Sequence, residues 1–211
     1  MIRQFWQSGQ RDPAFPFPSA TAADFGKFLE SHRNLESMGW GALRQVMWQG
    51  ITAGMVTVQI LESGLLPIGV QVAECGTYLL PEARGRGLNP RVKWETAQLA
   101  VETLAMDWCV FVVLTQNQQA LHGLYKLNWP FVHTQGYPTP TPNQLAHPTK
   151  QLESIENAVD RPSNVPENPL WIRFARWKAW QVQQQVHVFA LHRDHFSQLS
   201  PPPIPPVCTQ L

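Results

Sequence analysis

The sequence has little charge and no excess of either sign. Sixteen lysines and arginines stand against fifteen aspartates and glutamates in 211 residues, so the formal net charge is +1 and only 15% of the residues are charged. Such a balance gives no overall attraction to nucleic acid, to anionic lipid or to an acidic partner. Any anion-binding site must therefore be local, and we expect neither a nucleic-acid partner nor a membrane partner.

Cysteine is scarce and long apolar stretches are missing. Cys75, Cys109 and Cys208 are far apart and form no Cys-x-x-Cys pair, which argues against a disulfide framework and against a zinc site. No run reaches the roughly 18 to 20 apolar residues of a membrane span, and MIRQFWQSGQ lacks the apolar core of a signal peptide. We therefore expect a soluble cytoplasmic protein, or a virion component if the chain is phage-encoded.

The spacing of apolar residues predicts alternating strands and helices. In chain order these are a strand over MIRQFW, a helix from Thr21, a second helix over WGALRQVMWQG ending at Gly50, two or three strands between Met55 and Leu80, a helix over NPRVKWETAQLAVETLAM, a strand over DWCVFVVLT, a helix over NQQALHGLYKLN and a short strand within WPFVHTQGY. The order from Val70 to Asn128 predicts a βαβα unit with a locally parallel sheet.

The second half of the chain is rich in proline. Residues 138–169 predict a long loop or insertion, and residues 196–211, which contain SPPPIPP, predict an extended or disordered tail. Residues 1–195 then form a single domain. Between insertion and tail we expect at least one strand, with VHVFAL the better candidate.

Two further sets of side chains leave alternatives open. Trp171, Trp177 and Trp180 are expected to pack in the core, but they would also suit an acceptor pocket or a partner surface. His192 and His195 are spaced to share a helical face, yet two histidines without further ligands are typical of a solvated segment, so we expect no metal site.

The segment PEARGRGLNPRVKW runs from a predicted strand into a predicted helix. A glycine-containing loop at a helix N-terminus exposes backbone N–H groups that bind anions, phosphates above all. Gly85 and Gly87 permit close approach of a ligand, while Arg84 and Arg86 add charge and donors. No GKS or GKT follows and the spacing is not GxGxxG, which excludes a P-loop and a dinucleotide fingerprint.

Two motifs resemble those of the GNAT acetyltransferase superfamily. Its pyrophosphate loop, Gln/Arg-x-x-Gly-x-Gly/Ala, is similar to Arg84, Gly85, Arg86, Gly87, Leu88 and Asn89, which follow YLLPEA. Farther along the family has Asn-x-x-Ala-x-x-x-Tyr-x-Lys-x-Gly-Phe, and this chain has Asn117, Ala120, Tyr125 and Lys126, then Asn128 and Trp129 for Gly-Phe. Over residues 1–137 the resemblance implies an α/β (α+β) GNAT fold, with a central mixed twisted sheet flanked by helices.

The resemblance also implies an activity and a set of site residues. It implies acetyl transfer from acetyl-CoA, as co-substrate, to a primary amine of a small molecule or protein. Residues 84–89 would cradle the pyrophosphate, backbone groups of Leu79 and Leu80 would pair with the pantetheine arm, and Asn117 would lie beside that arm. Tyr125 would be the general acid and Glu74 the candidate base.

Departures from the motif keep a second interpretation open. Asn89 replaces the last Gly/Ala of the loop and Pro90 has no N–H to donate, although Asn89 is a plausible N-cap with Pro90 in the first turn. At Asn128 the change is mild, because asparagine tolerates the left-handed conformation that often follows a helix. The alternative is a catalytically inactive GNAT-fold assembly protein, such as a virion component, that forms a homo-oligomer or binds a partner through its tail.

Overall fold

The computed structural model describes Gly9, Asp12 and residues 21–61, 66, 68–133 and 169–203. Contacts divide the chain into two compact units. The first consists of Met1–Leu61, Gln71–Cys109 and His192–Leu211, and the second of Glu62–Val70 and Val110–Leu191. The strand predicted over residues 1–6, the insertion up to residue 168 and the last part of the tail lie outside the described residues.

The described residues form the following helices and strands. They are α1 (Ala22–Ser37), β1 (Gly41–Trp48), β2 (Ile51–Ile60), β3 (Val72–Leu79), a 3-10 turn (Pro81–Ala83), α2 (Leu88–Gln98) with a π-helical end (Leu99–Thr103), β4 (Trp108–Leu114), α3 (Gln118–Tyr125), β5 (Phe131–His133), α4 (Pro169–Val182), β6 (Val186–His192) and α5 (Arg193–Phe196). No helix among the described residues is both long enough and apolar enough to cross a bilayer.

The six strands form a mixed sheet. They are hydrogen-bonded in the order β1-β2-β3-β4-β6-β5. The pairs β1–β2, β2–β3 and β5–β6 are antiparallel, whereas β3 and β4 are neighbours joined through α2, the kind of crossover that a parallel pair requires. The predicted mixed α/β architecture with flanking helices is confirmed.

The helix predicted over WGALRQVMWQG is wrong, because this segment is β1 and a tight turn. Gln49 and Gly50 have φ of 50° and 77°, and Trp48 faces Ile51 across the strand pair. Two residues with positive φ between paired strands form a hairpin turn whose twist matches the strands. The apolar spacing suits either element, and the turn decides for the strand.

Strand alternation gives β3 two different faces in the first unit. Tyr78 packs with Phe25 of α1 and Met55 of β2. Leu79, which points the other way, packs with Leu88 and other apolar residues on the α2 side. The end of β3 is therefore held from both sides at the point where the glycine loop follows.

The region after the insertion is only partly as expected. The strand predicted over VHVFAL is confirmed as β6, but the preceding helix α4 was not predicted. Trp171 on α4 is buried and its ring centre lies 5.9 Å from that of Phe174, which confirms core packing for this tryptophan. The aromatic residues of this segment are at spacings that fit both a helix and a strand, so the sequence pattern did not indicate the helix.

The β1–β2 turn provides a stability test with an internal control. Gly50→Ala should lower the free energy of unfolding by about 1 to 2 kcal/mol, because an L-residue meets a penalty of that size in the left-handed region. Gly26, inside α1, has ordinary φ and open space around an added Cβ, so Gly26→Ala should raise the free energy of unfolding by about 0.5 to 1 kcal/mol. Urea denaturation measures both, and an unchanged Gly50→Ala midpoint would contradict the turn.

Candidate functional site

The glycine loop leads from β3 into α2, as the sequence predicts. After β3 the chain makes the 3-10 turn Pro81–Ala83, and Gly85 and Gly87 then take φ of 72° and 76°. Residues other than glycine seldom adopt such angles. The two glycines therefore set the path of the backbone between strand and helix.

The N-cap of α2 is Gly87, so the prediction of Asn89 as N-cap is wrong. The helix begins at Leu88, with Asn89 second and Pro90 third. A glycine can take the left-handed conformation that this cap has, at lower cost than asparagine. Because the first N–H groups of a helix have no carbonyl partner one turn earlier, proline at the third position removes no helical hydrogen bond.

The N-terminus of α2 fits an anionic group. No side chain caps it and its first turn carries no acidic residue. Gly85, Arg86 and Gly87 are exposed, and a Cβ added at Gly85 would meet no atom within 4 Å. The positive end of the helix dipole thus faces an open approach with no competing carboxylate from its own first turn.

Arg86 is held at the loop surface. Its Nε donates to the Glu82 carbonyl at 3.0 Å, and its guanidinium lies 4.3 Å from the ring centre of Trp48. Stacking on an aromatic face orients an arginine while leaving its charge available. Arg86 is therefore the arginine of the loop whose charge remains available at the surface.

Arg84 contacts the protein interior instead. Its Nε donates to the Leu79 carbonyl at 2.9 Å, and its terminal nitrogens donate to the carboxylate of Asp12. The same carboxylate accepts the Tyr78 hydroxyl at 2.7 Å. Sequence reasoning missed Asp12, because an aspartate in a proline-rich loop carries no pattern that predicts a buried partner.

The backbone groups at the end of β3 are already engaged. The Leu80 N–H donates to the Ala53 carbonyl at 2.8 Å, and the Leu80 carbonyl accepts from Ala83 at 2.9 Å. The Leu79 carbonyl accepts from Arg84, although a carbonyl oxygen has a second lone pair. Pairing of Leu79 and Leu80 with a pantetheine arm stays a prediction, and of these groups the carbonyls suit it better.

Glu74 lies on the face of β3 that also carries Tyr78. It is half-buried and pairs with Gln59 of β2. Near this face is a cavity of about 240 Å³ between α1, β1 and β2, whose apolar walls include Phe25, Leu43 and Met55. Phe25 and Met55 also pack on Tyr78, so the cavity and the end of β3 share side chains.

Lys93 is a buried cation that the sequence did not indicate. Its side chain is on α2, is 2% exposed and donates to the Thr77 hydroxyl at 3.0 Å. Burial lowers the pKa of Lys93 from 10.5 to about 8. Its neighbour Cys75 is also buried, and loss of solvation raises the pKa of that thiol.

In the second unit, Asn117 is the N-cap of α3. Its Oδ1 accepts from the Ala120 N–H at 3.1 Å. Asn128, three residues after the end of α3, has φ of 53°, which confirms the expected left-handed conformation. The next residue, Trp129, is buried with its ring centre 5.7 Å from that of Phe111. Asn117 and Asn128 thus support the local fold at the two ends of α3.

Tyr125 is offset by one residue from the tyrosine of the motif. Counted four residues after Ala120 and two before Lys126, the motif position falls on Leu124, which is fully buried at 0% exposure. Tyr125 itself is 42% exposed. Loss of solvation raises the pKa of Tyr125, which keeps its phenol protonated at neutral pH. In this segment the Tyr125 hydroxyl, and not Leu124, can exchange a proton.

The ring of Tyr125 rests on an aromatic cluster of the β5–β6 pair. Its centre lies 5.2 Å from that of Phe131 and 5.6 Å from that of Phe189, both edge-to-face. The hydroxyl oxygen lies 3.0 Å from Nδ1 of His187. Sequence reasoning missed His187, because its position in an apolar strand is typical of a core histidine.

His192 has a local structural role. His192 is the N-cap of α5, where its Nδ1 accepts from the Asp194 N–H at 3.3 Å, and its ring packs on Trp108. Among the described residues no group of three or more His, Cys, Asp or Glu side chains is placed to hold a metal ion.

The fold is that of known acetyltransferases. No protein-family model and no curated protein matches the sequence. Among solved structures, RimL, a ribosomal L7/L12 alpha-N-protein acetyltransferase in complex with coenzyme A, matches with a TM-score of 0.56 at 12% identity, over 90% of this chain and 88% of that one. A SpeG spermidine N-acetyltransferase chimera from Vibrio cholerae and hSSAT gives 0.54 at 12%, over 93% and 92%.

A third match covers a smaller share of the other protein. Mycobacterium smegmatis RimJ in complex with CoA-disulfide gives a TM-score of 0.52 at 11% identity, over 84% of this chain but only 65% of RimJ. At these identities the likeness concerns the fold. The chain has the GNAT fold, which confirms the fold that the two sequence motifs predict.

The buried lysine predicts a pH dependence of stability. Folded Lys93 loses its proton near pH 8, whereas unfolded lysine keeps it to about pH 10.5. The unfolded state binds more protons between these values, so the contribution of Lys93 to the free energy of unfolding rises with pH across that window, by on the order of 3 kcal/mol. Lys93→Met should remove this rise. Urea denaturation at pH 7.5 and 10 measures it, and equal pH dependence in both proteins would contradict the assignment.

Proposed function

We propose that the protein is an acyl-CoA-dependent N-acyltransferase that transfers an acetyl group from acetyl-CoA to a primary amine of a small molecule or protein. The observation that carries the proposal is the N-terminus of α2, which has no side-chain cap and is reached from β3 through the exposed residues Gly85–Gly87. In a fold shared with acetyltransferases that were solved with CoA, this feature suits the pyrophosphate of the donor.

In the proposed site, the loop contributes to phosphate binding through backbone N–H groups and through the charge of Arg86. The N–H groups of Gly87 and Leu88 belong to the first turn of α2 and suit phosphate oxygens. Arg86, stacked on Trp48, adds a positive charge whose attraction to phosphate depends on salt. Asn117 and the carbonyls at the end of β3 remain candidates for the pantetheine arm.

Acetyl-CoA supplies an activated thioester, and the chain must manage the protons of the transfer. The amine has to lose a proton, and the leaving thiolate has to gain one. Tyr125, protonated at neutral pH and partly exposed, is the proposed donor. Glu74 is the proposed acceptor, since it is a half-buried carboxylate on the face of β3 that also carries Tyr78.

The acceptor amine is proposed to use the cavity between α1, β1 and β2. Its apolar walls carry a polar rim that includes Arg33, Gln45 and the ion pair of Arg44 with Glu36 at 2.6 Å. A mostly apolar pocket with a few polar groups is typical of small-molecule sites. The cavity supports a small amine with an apolar body over a purely polar one.

Cofactor binding is tested by a thermal melt with acetyl-CoA. Ligand at about 100 times its Kd should stabilise the folded state by about 2.7 kcal/mol, a shift of several degrees for a chain of this size. Gly87→Glu puts an anion at the N-cap and should abolish the shift, and Arg86→Met should reduce it. Lys27→Met removes one positive charge from the exposed surface of α1 and should leave the shift intact. No shift of the wild-type protein at millimolar ligand would contradict the proposal and favour the assembly role.

The proton donor is tested by Tyr125→Phe. This change keeps the ring contacts with Phe131 and Phe189 and removes only the hydroxyl. Loss of a general acid should lower kcat by about 10²-fold or more, with little change in the melting shift caused by acetyl-CoA. Release of CoA in the presence of an accepted amine measures kcat. An unchanged kcat would remove Tyr125 from the mechanism.

A further inference from the structure

Asp12 is a buried carboxylate next to the glycine loop. Its side chain is only 5% exposed. One carboxylate oxygen accepts the Tyr78 hydroxyl at 2.7 Å together with one terminal nitrogen of Arg84, and the other oxygen accepts the second terminal nitrogen of Arg84 at 3.3 Å. A carboxylate removed from water needs such donors to remain charged. Asp12, Tyr78 and Arg84 therefore form one hydrogen-bonded group.

Arg84 connects this group to both ends of the turn before the loop. Its Nε bonds to the Leu79 carbonyl at 2.9 Å, five residues back, and its own backbone leads directly into Gly85. The planar fork of a guanidinium can hold a carbonyl with one edge and a carboxylate with the other. The side chain of Arg84 thus fixes the geometry of the turn Leu79–Arg84.

A glycine loop needs such support. Glycine has more conformational freedom to lose than any other residue, so Gly85 and Gly87 do not hold the loop in one shape by themselves. A loop that is ordered before the ligand arrives binds more tightly, because less ordering remains to be done on binding. Arg86, by contrast, is exposed, and its guanidinium stacks on the ring of Trp48.

We propose that Asp12 is a positioning residue for acyl-CoA binding: through Arg84 it fixes the turn from which Gly85–Gly87 meet the phosphates, and Arg84 itself is not a phosphate ligand. The inference rests on the proposed function and deepens it. It assigns different roles to two arginines of the same loop, since Arg86 binds the anion and Arg84 holds the loop.

The test compares CoA affinity in full-length variants by calorimetry, well below the melting temperature. Asp12→Asn should weaken CoA binding about tenfold or more, and Asp12→Glu, which keeps the charge, should recover part of it. The double variant Asp12→Asn/Arg84→Met should bind CoA no more weakly than the weaker-binding of its two single variants. In the double variant Asp12→Asn/Arg86→Met, the two losses of binding free energy should add. A Kd unchanged in Asp12→Asn would overturn the proposal.

Salt dependence separates positioning from direct contact. A phosphate ligand contributes charge attraction that salt screens, so Arg86→Met should flatten the dependence of Kd on ionic strength. Arg84→Met should weaken binding and leave that dependence unchanged. Equal flattening in both variants would make Arg84 a phosphate ligand and overturn the proposal. If Asp12→Asn does not fold, Arg84→Lys replaces it, because lysine keeps the charge but cannot hold both partners.

A measurement without ligand keeps this inference distinct from the proposed function. Heteronuclear NOE values of the Gly85 and Gly87 amides report how rigid the loop is. They should fall in Asp12→Asn relative to the wild-type protein, which supports the positioning role even if the wild-type protein fails to bind CoA and the proposed function fails with it. Unchanged values would overturn the positioning role.

Discussion

The hydrogen bonds of Arg84 are the constraint on which the candidate site depends. One edge of its guanidinium holds the Leu79 carbonyl and the other holds Asp12, so the end of β3 and the start of the loop have a fixed relation. Breaking one partner of a buried ion pair typically costs about 3 to 5 kcal/mol, because the other charge is left buried without compensation. The shape of the loop therefore depends on the ion pair of Arg84 with Asp12 in the protein interior.

The proposed function assigns a local anion site to a nearly neutral chain. With a net charge of +1, the protein has no broad field to attract a phosphate, and the site depends on the dipole of α2 and on Arg86. The absence of a side-chain cap and of acidic residues in the first turn is consistent with this use. Pro90 is compatible with it as well, since it lies where a helix does not need the N–H.

Short-range signals predicted a large part of the fold. The glycine loop, the helix after it and the buried strand DWCVFVVL were predicted because their signals are short-range. The segment of β1 was predicted as a helix, because its apolar spacing fits both periods and the Gln49–Gly50 turn was not recognised. Asp12 and His187 were not predicted as site residues, since their partners are 66 and 62 residues away in the chain.

The most direct test of the account is a titration of the isotope-labelled protein with CoA, followed by the backbone amide signals in NMR spectra. We predict saturable shifts concentrated at Gly85, Gly87 and Leu88. These shifts should be absent on titration with adenosine, which carries no phosphate. They would place the pyrophosphate at the N-terminus of α2. Shifts confined to other regions, or none at millimolar CoA, would contradict the claim that this loop is an acyl-CoA site.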